Sequence, residues 1–206
     1  LIAVHLKEIG FTVVGRIMPG NGKLDAAKDM RDPNLQQRWY AHVDSIMSLV
    51  SPYSDKTYIG GFSTGGTLAT RYMLLHPNEI DGLLLFSGAL ALSDNAENLG
   101  QIWGMKWIAK IVDGDFISTG VNPYRYPDVA GYAGLTLADV IFEIRDLLVE
   151  TKVSKPIFVA HSLADIMTPY YGVEDLMMKI EGQHQVMTID RSYDTCPVSY
   201  NTLMLP

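Results

Sequence analysis

Residues 61–65, Gly-Phe-Ser-Thr-Gly, place a serine between two glycines in a G-x-S-x-G pattern, with Gly60 before it and Gly66 after it. A serine hydroxyl is a weak nucleophile at neutral pH. It attacks a carbonyl only when a neighbouring base takes its proton, and a carboxylate commonly orients that base. A strained strand-to-helix turn presents such a serine for attack, and small neighbours, here Gly61 and Gly65, make room where backbone passes close by. The flanks suit that turn: apolar Tyr58 and Ile59 precede it and a helical pattern follows. A helix starting at Thr64 would aim its unpaired N–H groups and its dipole at a developing negative charge. The Thr64 backbone N–H is therefore the first expected oxyanion donor. The plainer alternative is a βα turn with Ser63 near a helix N-cap.

The elements that must hold this turn are visible as periodicity. LIAVHLKEIG reads as the last turns of a helix ending at Gly10, and the β-branched, apolar run 11–20 reads as a buried strand stopping at Pro19-Gly20. Leu35, Trp39, Val43, Ile46 and Val50 recur at spacings of three and four, which predicts an amphipathic helix over 35–50. A strand over 57–63, a helix over 64–76 and a strand over 81–90 repeat the alternation. The fold class is α/β, a mostly parallel sheet with helices on both faces. Residues 91–152 interrupt the rhythm with aromatic, Gly- and Pro-broken sequence and then a long helical pattern, LADVIFEIRDLLVE. That insertion is too long for an ordinary connection and is read as a helical cap. The core resumes with a strand over 155–162 and a helix near 170–181. A polar stretch, 182–200, then leads to NTLMLP, which looks like the start of one more strand. Residues 1–206 thus form a single domain carrying a cap insertion at about 91–152.

GGFSTGG, the PGNG turn at 19–22 and KPIFVAHSLADIMTP at 155–169 together resemble the α/β-hydrolase superfamily. The likeness is to bacterial carboxylesterases and to monoacylglycerol lipase-like or lysophospholipase-like members, and NPYRYPDV at 122–129 is similar to the end of their cap. The resemblance implies a serine ester hydrolase working through an acyl-enzyme on Ser63, with Asp165 as the orienting acid just beyond the strand 155–162. The alternative role for Asp165 is to cap the helix beginning near Pro169; Asp190 and Asp194, in irregular sequence, are weaker candidates. In this fold the chain order is Ser, Asp or Glu, His. Of His5, His42, His76, His161 and His184, only His184 follows Asp165, and it precedes the expected final strand, so it reads as a surface residue. His161 lies in a strand and reads as a satisfied, half-buried histidine. The catalytic histidine is accordingly expected beyond Pro206. The second oxyanion donor, carried in the family by an HG-type loop, is expected before Leu1. An incomplete α/β-hydrolase fold of this kind would be nearly inert by itself.

The chain has 206 residues, 48% hydrophobic and 19% charged, enough to bury one sizeable core. Its net charge of -7, with 16 scattered Lys and Arg, excludes a nucleic-acid partner, and a neutral or apolar small-molecule ester fits better. No apolar run is long enough for a transmembrane segment. Cys196, the single cysteine, can form no internal disulfide, which is compatible with a cytoplasmic location. The sequence has no H-E-x-x-H and no phosphate loop, so neither metal nor nucleotide cofactor is expected. Trp103, Met105, Trp107, Ile108 and Phe116 of the insertion either line an acyl pocket above Ser63 or bury the cap against the core.

Overall fold

The computed structural model describes residues 2–22, 26–111, 115–117 and 128–189. Its elements are α1 (Ile2–Glu8), α2 (Ala26–Met30), α3 (Leu35–Val50), β1 (Tyr58–Ser63), α4 (Thr64–Leu75), β2 (Gly82–Gly88), α5 (Asp94–Gln101), α6 (Met105–Ile111), β3 (Asp115–Ile117), β4 (Asp128–Ala130), α7 (Gly131–Glu150), β5 (Ile157–Ser162), α8 (Tyr171–Met177) and β6 (His184–Ile189). β1, β2, β5 and β6 form one parallel sheet in that order, and β3 and β4 pair as a separate antiparallel ribbon. The α/β class and the parallel sheet read from the alternation are both present.

Strand alternation decides where the core sits. Leu83 and Leu85 on β2 and Ile157 and Val159 on β5 point to one face and are almost wholly buried. α4 lies on β1 and β2 over this face, and α3 and α7 pack on α4. α7 is the main partner: Tyr132, Leu137, Val140, Ile141, Ile144 and Leu148 all enter the same core as Leu68, Tyr72 and Met73 of α4. It starts about two turns earlier than the LADVIFEIRDLLVE pattern suggests, because Gly131–Thr136 continue the same buried face. On the opposite face Leu84, Phe86 and Phe158 are only half-buried, and Phe62 and Met187 are exposed.

Two expectations about strands are corrected. Residues 11–18 form no strand and are largely exposed; their described tie to the sheet is an edge contact of Phe11 with Tyr58, ring centres 5.8 Å apart. Apolar, β-branched composition marks a chain that fits a pleated surface, but a strand also needs a neighbour, and among the described residues β1 pairs with β2 alone. Conversely, the stretch read as polar contains β6, in register with β5 from Ile157↔His184 to Ser162↔Ile189. Among the described residues β6 is an edge strand, and four of its side chains are exposed, so its backbone ladder rather than an apolar face defines it. The NTLMLP strand expected further on lies outside the described residues, as does Cys196.

The helix ending at Gly10 is present: Gly10 adopts φ 102 and the Phe11 N–H reaches back to the Leu6 carbonyl, closing the helix in the usual glycine-capped manner. None of the described helices is long and apolar enough to cross a membrane. Trp103, Trp107 and Ile108 are exposed, Trp103 by 98%, so they do not bury the insertion against the core. The side chain of Phe116 lies outside the described residues.

Because Leu85 is completely buried on the strand that α4 covers, Leu85→Ala should destabilise the fold by about 3 kcal/mol through lost transfer energy and a residual cavity. A urea titration checks this: the midpoint falls and the slope stays unchanged.

Candidate active site

β1 ends at Ser63 and α4 begins at Thr64 with no residue between them. The chain must reverse within one residue, and Ser63 does so at φ 51 and ψ -122. That region is disfavoured for any residue with a Cβ, at about 1–3 kcal/mol, and persists only where surrounding structure enforces it. The enforcement is visible. The Ala89 N–H donates to the Ser63 carbonyl at 3.2 Å, and the buried Thr67 hydroxyl donates to the Ala89 carbonyl at 2.6 Å. The ladder slips here, Phe62↔Phe86 being followed by Ser63↔Gly88, so Ser87 is bulged out at φ 42.

Backbone passes through backbone at this crossing. A Cβ on Gly61 would stand 2.3 Å from the Gly65 carbonyl carbon and 2.5 Å from its oxygen, and one on Gly66 would stand 2.9 Å from the Gly88 Cα. Gly65 itself has open space where its Cβ would be. The room at the turn is therefore made by Gly61 and Gly66, and Gly65 supplies a backbone surface for Gly61 to lie against. Thr67, Gly66 and Ala89 are the supporting residues that the motif does not name. Thr67, four residues after Ser63 and so on the same side of α4, was the available signal.

Thr64 is the first residue of α4, so its N–H is one of the four that no intrahelical carbonyl can satisfy. Donor and serine are thus adjacent at the C-terminal edge of the sheet, where open α/β sheets bind their ligands. A shallow hollow lined by Tyr58, Gly82, Pro156 and His184 lies at the other edge, which is the wrong end for that chemistry.

Asp165 follows β5 at the same C-terminal edge. β5 is separated from β1 by β2 alone, which sets the two strands about 10 Å apart. Its carboxylate is buried, 5% exposed, and saturated on one side: Oδ1 accepts the N–H groups of Met167 and Thr168, each at 2.9 Å, and Oδ2 accepts the Thr168 hydroxyl at 2.8 Å. These bonds shape the 165–168 turn. They do not cap α8, which begins at Tyr171 without a side-chain cap. Oδ2 keeps acceptor capacity for one more donor.

The histidines are elsewhere. His184 opens β6, five residues before Ile189, which is level with Ser162 at the C-terminal edge; it therefore sits about 16 Å below that edge. His76 follows the end of α4, thirteen residues from Ser63, stacked on Tyr72 with centres 4.3 Å apart. His5 pairs with Glu8 on exposed α1 at 3.8 Å, and His42 is carried by α3. His161 is fully buried rather than half-buried, and among the described residues only one of its nitrogens is satisfied: Nε2 lies 2.8 Å from the Thr168 carbonyl, while Nδ1 has no partner. Burial pushes its pKa down, against the opposing effects of the Thr168 carbonyl and the nearby Asp165 charge.

The root of the insertion is fastened beside this edge. Glu97 of α5 accepts both Arg145 guanidinium nitrogens from α7, at 2.7 and 2.8 Å, and the Leu92 N–H at 2.9 Å; the Tyr171 hydroxyl of α8 donates to the Leu92 carbonyl at 3.1 Å. Burial raises the Glu97 pKa, but Arg145 and the Leu92 N–H outweigh it and hold the carboxyl below its usual range. Gly172 lets α8 come this close, since a Cβ there would lie 2.5 Å from Leu90 and Ala91 backbone atoms.

A profile of the family described as "Serine aminopeptidase, S33" matches residues 2–128. No curated protein matches the chain significantly. Among solved structures, one from a study of the metagenome-derived lipolytic enzymes LipS and LipT is 18% identical with a TM-score of 0.70, covering 91% of this chain and 76% of that one. Est1E from Butyrivibrio proteoclasticus, bound to ferulic acid, is 18% identical with a TM-score of 0.63, covering 92% and 71%. A monoacylglycerol lipase from Paleococcus ferrophilus is 20% identical with a TM-score of 0.56, covering 76% and 65%. At such identities the likeness is one of fold.

Two outcomes follow from the packing and the titration. Gly61→Ala should abolish the elbow geometry and lower soluble, folded yield, whereas Gly65→Ala should leave the thermal midpoint within a few degrees of wild type, both read by thermal unfolding. For His161, the folded pKa is depressed, so below about 6.5 the unfolded chain binds more protons and stability falls with falling pH. Urea midpoints measured from pH 7.5 to 5 should show that slope, and His161→Gln should flatten it.

Proposed function

We propose that this chain, which belongs to the serine aminopeptidase S33 family within the α/β-hydrolase superfamily, is a serine hydrolase that cleaves carboxylic esters through an acyl-enzyme on Ser63. In this reading the Ser63 hydroxyl transfers its proton to a base as Oγ attacks the ester carbonyl. The oxyanion forms against the Thr64 N–H, and the alcohol leaves with the proton returned by the base. Water then repeats the sequence in reverse to release the acid. Asp165 is the carboxylate that orients the base and stabilises its protonated form, through the acceptor capacity left on Oδ2.

The observation that carries the reading is Ser63 itself, a non-glycine residue held at φ 51 in the turn between β1 and α4 by contacts from three segments. A structural turn has no need of that strain, because glycine would fill the place at lower energy. The substrate proposed is a small ester with an apolar acyl group, such as a monoacylglycerol or lysophospholipid; the lipolytic and monoacylglycerol lipase activities named for structural neighbours support it. The part of the insertion ahead of the core helix α7 serves as the cap near Ser63, tied to α7 by the Glu97–Arg145 pair and to α8 by the Tyr171–Leu92 bond.

One observation favours a second reading, a non-catalytic protein of this fold that binds a small apolar ligand or a partner. Among the described residues none of the histidines hydrogen-bonds to Ser63 or Asp165, so the position between them is not filled by the base the chemistry needs.

Fluorophosphonate labelling of the full-length protein separates the two, because the reagent reacts only with an activated serine. Wild type should label and Ser63→Ala should not, and p-nitrophenyl esters should be turned over in preference to aminoacyl nitroanilides. A folded wild-type protein that does not label overturns the hydrolase reading and leaves ligand binding.

A further inference from the structure

The turn from Leu163 to Tyr170 that carries Asp165 belongs to no helix or strand, so its shape rests on its own hydrogen bonds. Thr168 is their hub. Its N–H and hydroxyl both point to the Asp165 carboxylate, at 2.9 and 2.8 Å, and its carbonyl points the other way, to His161 Nε2 at 2.8 Å. A carbonyl only accepts, so Nε2 carries the hydrogen and Nδ1 is a bare lone pair. Nδ1 is buried with no partner among the described residues. A buried acceptor without a donor is disfavoured by roughly 1–3 kcal/mol, and a leucine or phenylalanine would fill the same space without it. The ring is wholly inaccessible, on the core side of β5, 5.6 Å from the Tyr170 ring, and makes no described contact with Ser63.

We infer that His161 is a positioning residue for Asp165: through its Nε2–H it fixes the Thr168 carbonyl, and thereby the two Thr168 donors that aim the carboxylate at the base. This rests on the proposed role of Asp165 and adds a residue to it. His161 holds the turn in its neutral form. The charged or titratable groups described around it are the Asp165 carboxylate in the turn and the Tyr170 phenol before α8. None of the described groups there accepts a hydrogen from Nδ1, so a second proton on the ring would find no partner among them.

The test compares His161→Gln with His161→Asn in the full-length protein. Each variant buries a neutral amide, but only the glutamine nitrogen reaches the place of His161 Nε2. The readouts are the second-order rate of fluorophosphonate labelling at Ser63 from pH 5 to 9 and the thermal midpoint of each variant. The expected result is a labelling rate near wild type in the glutamine variant and about tenfold lower in the asparagine variant, since small displacements of an orienting group cost one to two orders of magnitude. The acidic limb of the asparagine variant should also move to lower pH, because a base with a poorly aimed carboxylate holds its proton less tightly. Equal rates in the two variants, or rates that merely track the thermal midpoints, overturn the inference while leaving the hydrolase reading standing. Unchanged labelling in Asp165→Asn removes the role that His161 would support. A wild-type protein that fails to label overturns the hydrolase reading and this inference together.

Discussion

Among the described glycines, the tightest place is where backbone lies against backbone. Gly61, on the last turn of the pleat in β1, lies against the carbonyl of Gly65 at the start of α4, and Gly66 lies against the Cα of Gly88 on β2. With side chains at 61 and 66 the helix would have to lift off the sheet by more than a bond length. Everything on the core side follows from its not lifting. Leu68, Tyr72 and Met73 reach Leu83 and Leu85, and α7 can pack on α4. The C-terminal ends of β1, β2 and β5 then arrive at one level, which brings Ser63, Ala89 and the Asp165 turn to the same edge of the sheet. Thr67 locks the arrangement through the Ala89 carbonyl, so a hydroxyl that looks incidental in the sequence ties the serine's turn to the next strand.

The sheet is two-sided in a way that separates folding from chemistry. One face carries the buried leucines and valines and the layer of α3, α4 and α7, while the other presents Phe62, Leu84, Phe86 and Phe158 with partial exposure. The candidate site sits at neither face but along the edge, where chain reversals replace side-chain packing. Its order therefore comes from directed hydrogen bonds. Three donors hold the Asp165 carboxylate, and Arg145, Leu92 and Tyr171 converge on the segment that follows β2. Such bonds are individually modest, about 1 kcal/mol net, yet each fixes an angle that apolar contact would leave free.

The elements around Ser63 were legible because local pattern and tertiary role agree there. Tyr58–Ser63 is apolar and strand-like, the glycines mark the crossing, and Thr64–Leu75 has a helical period. The strand read at 11–20 failed because β-branched composition reports a preferred surface, not a partner. β6 was passed over for the opposite reason: His184, Gln185 and Thr188 look like loop, and only the ladder with β5 makes them a strand. Trp103 and Trp107 were read through average burial, which is silent about a particular exposed helix. Asp165 could be singled out by its position after a strand, but its three donors come from residues two and three positions on, a geometry that spacing does not specify. His161 was taken for a satisfied histidine because a sequence shows which atoms can bond and not which ones do.

The unusual dihedral at Ser63 bears on what evolution and engineering can do with this chain. Glycine at that position would relieve the strain, so random drift under selection for thermostability alone has a single-codon route away from serine. In the proposed function the hydroxyl's chemistry is what offsets that unfavourable backbone. Libraries screened only for robustness would be expected to lose that hydroxyl first, which makes residue 63 a sentinel: any stabilised descendant should be sequenced there before it is assayed.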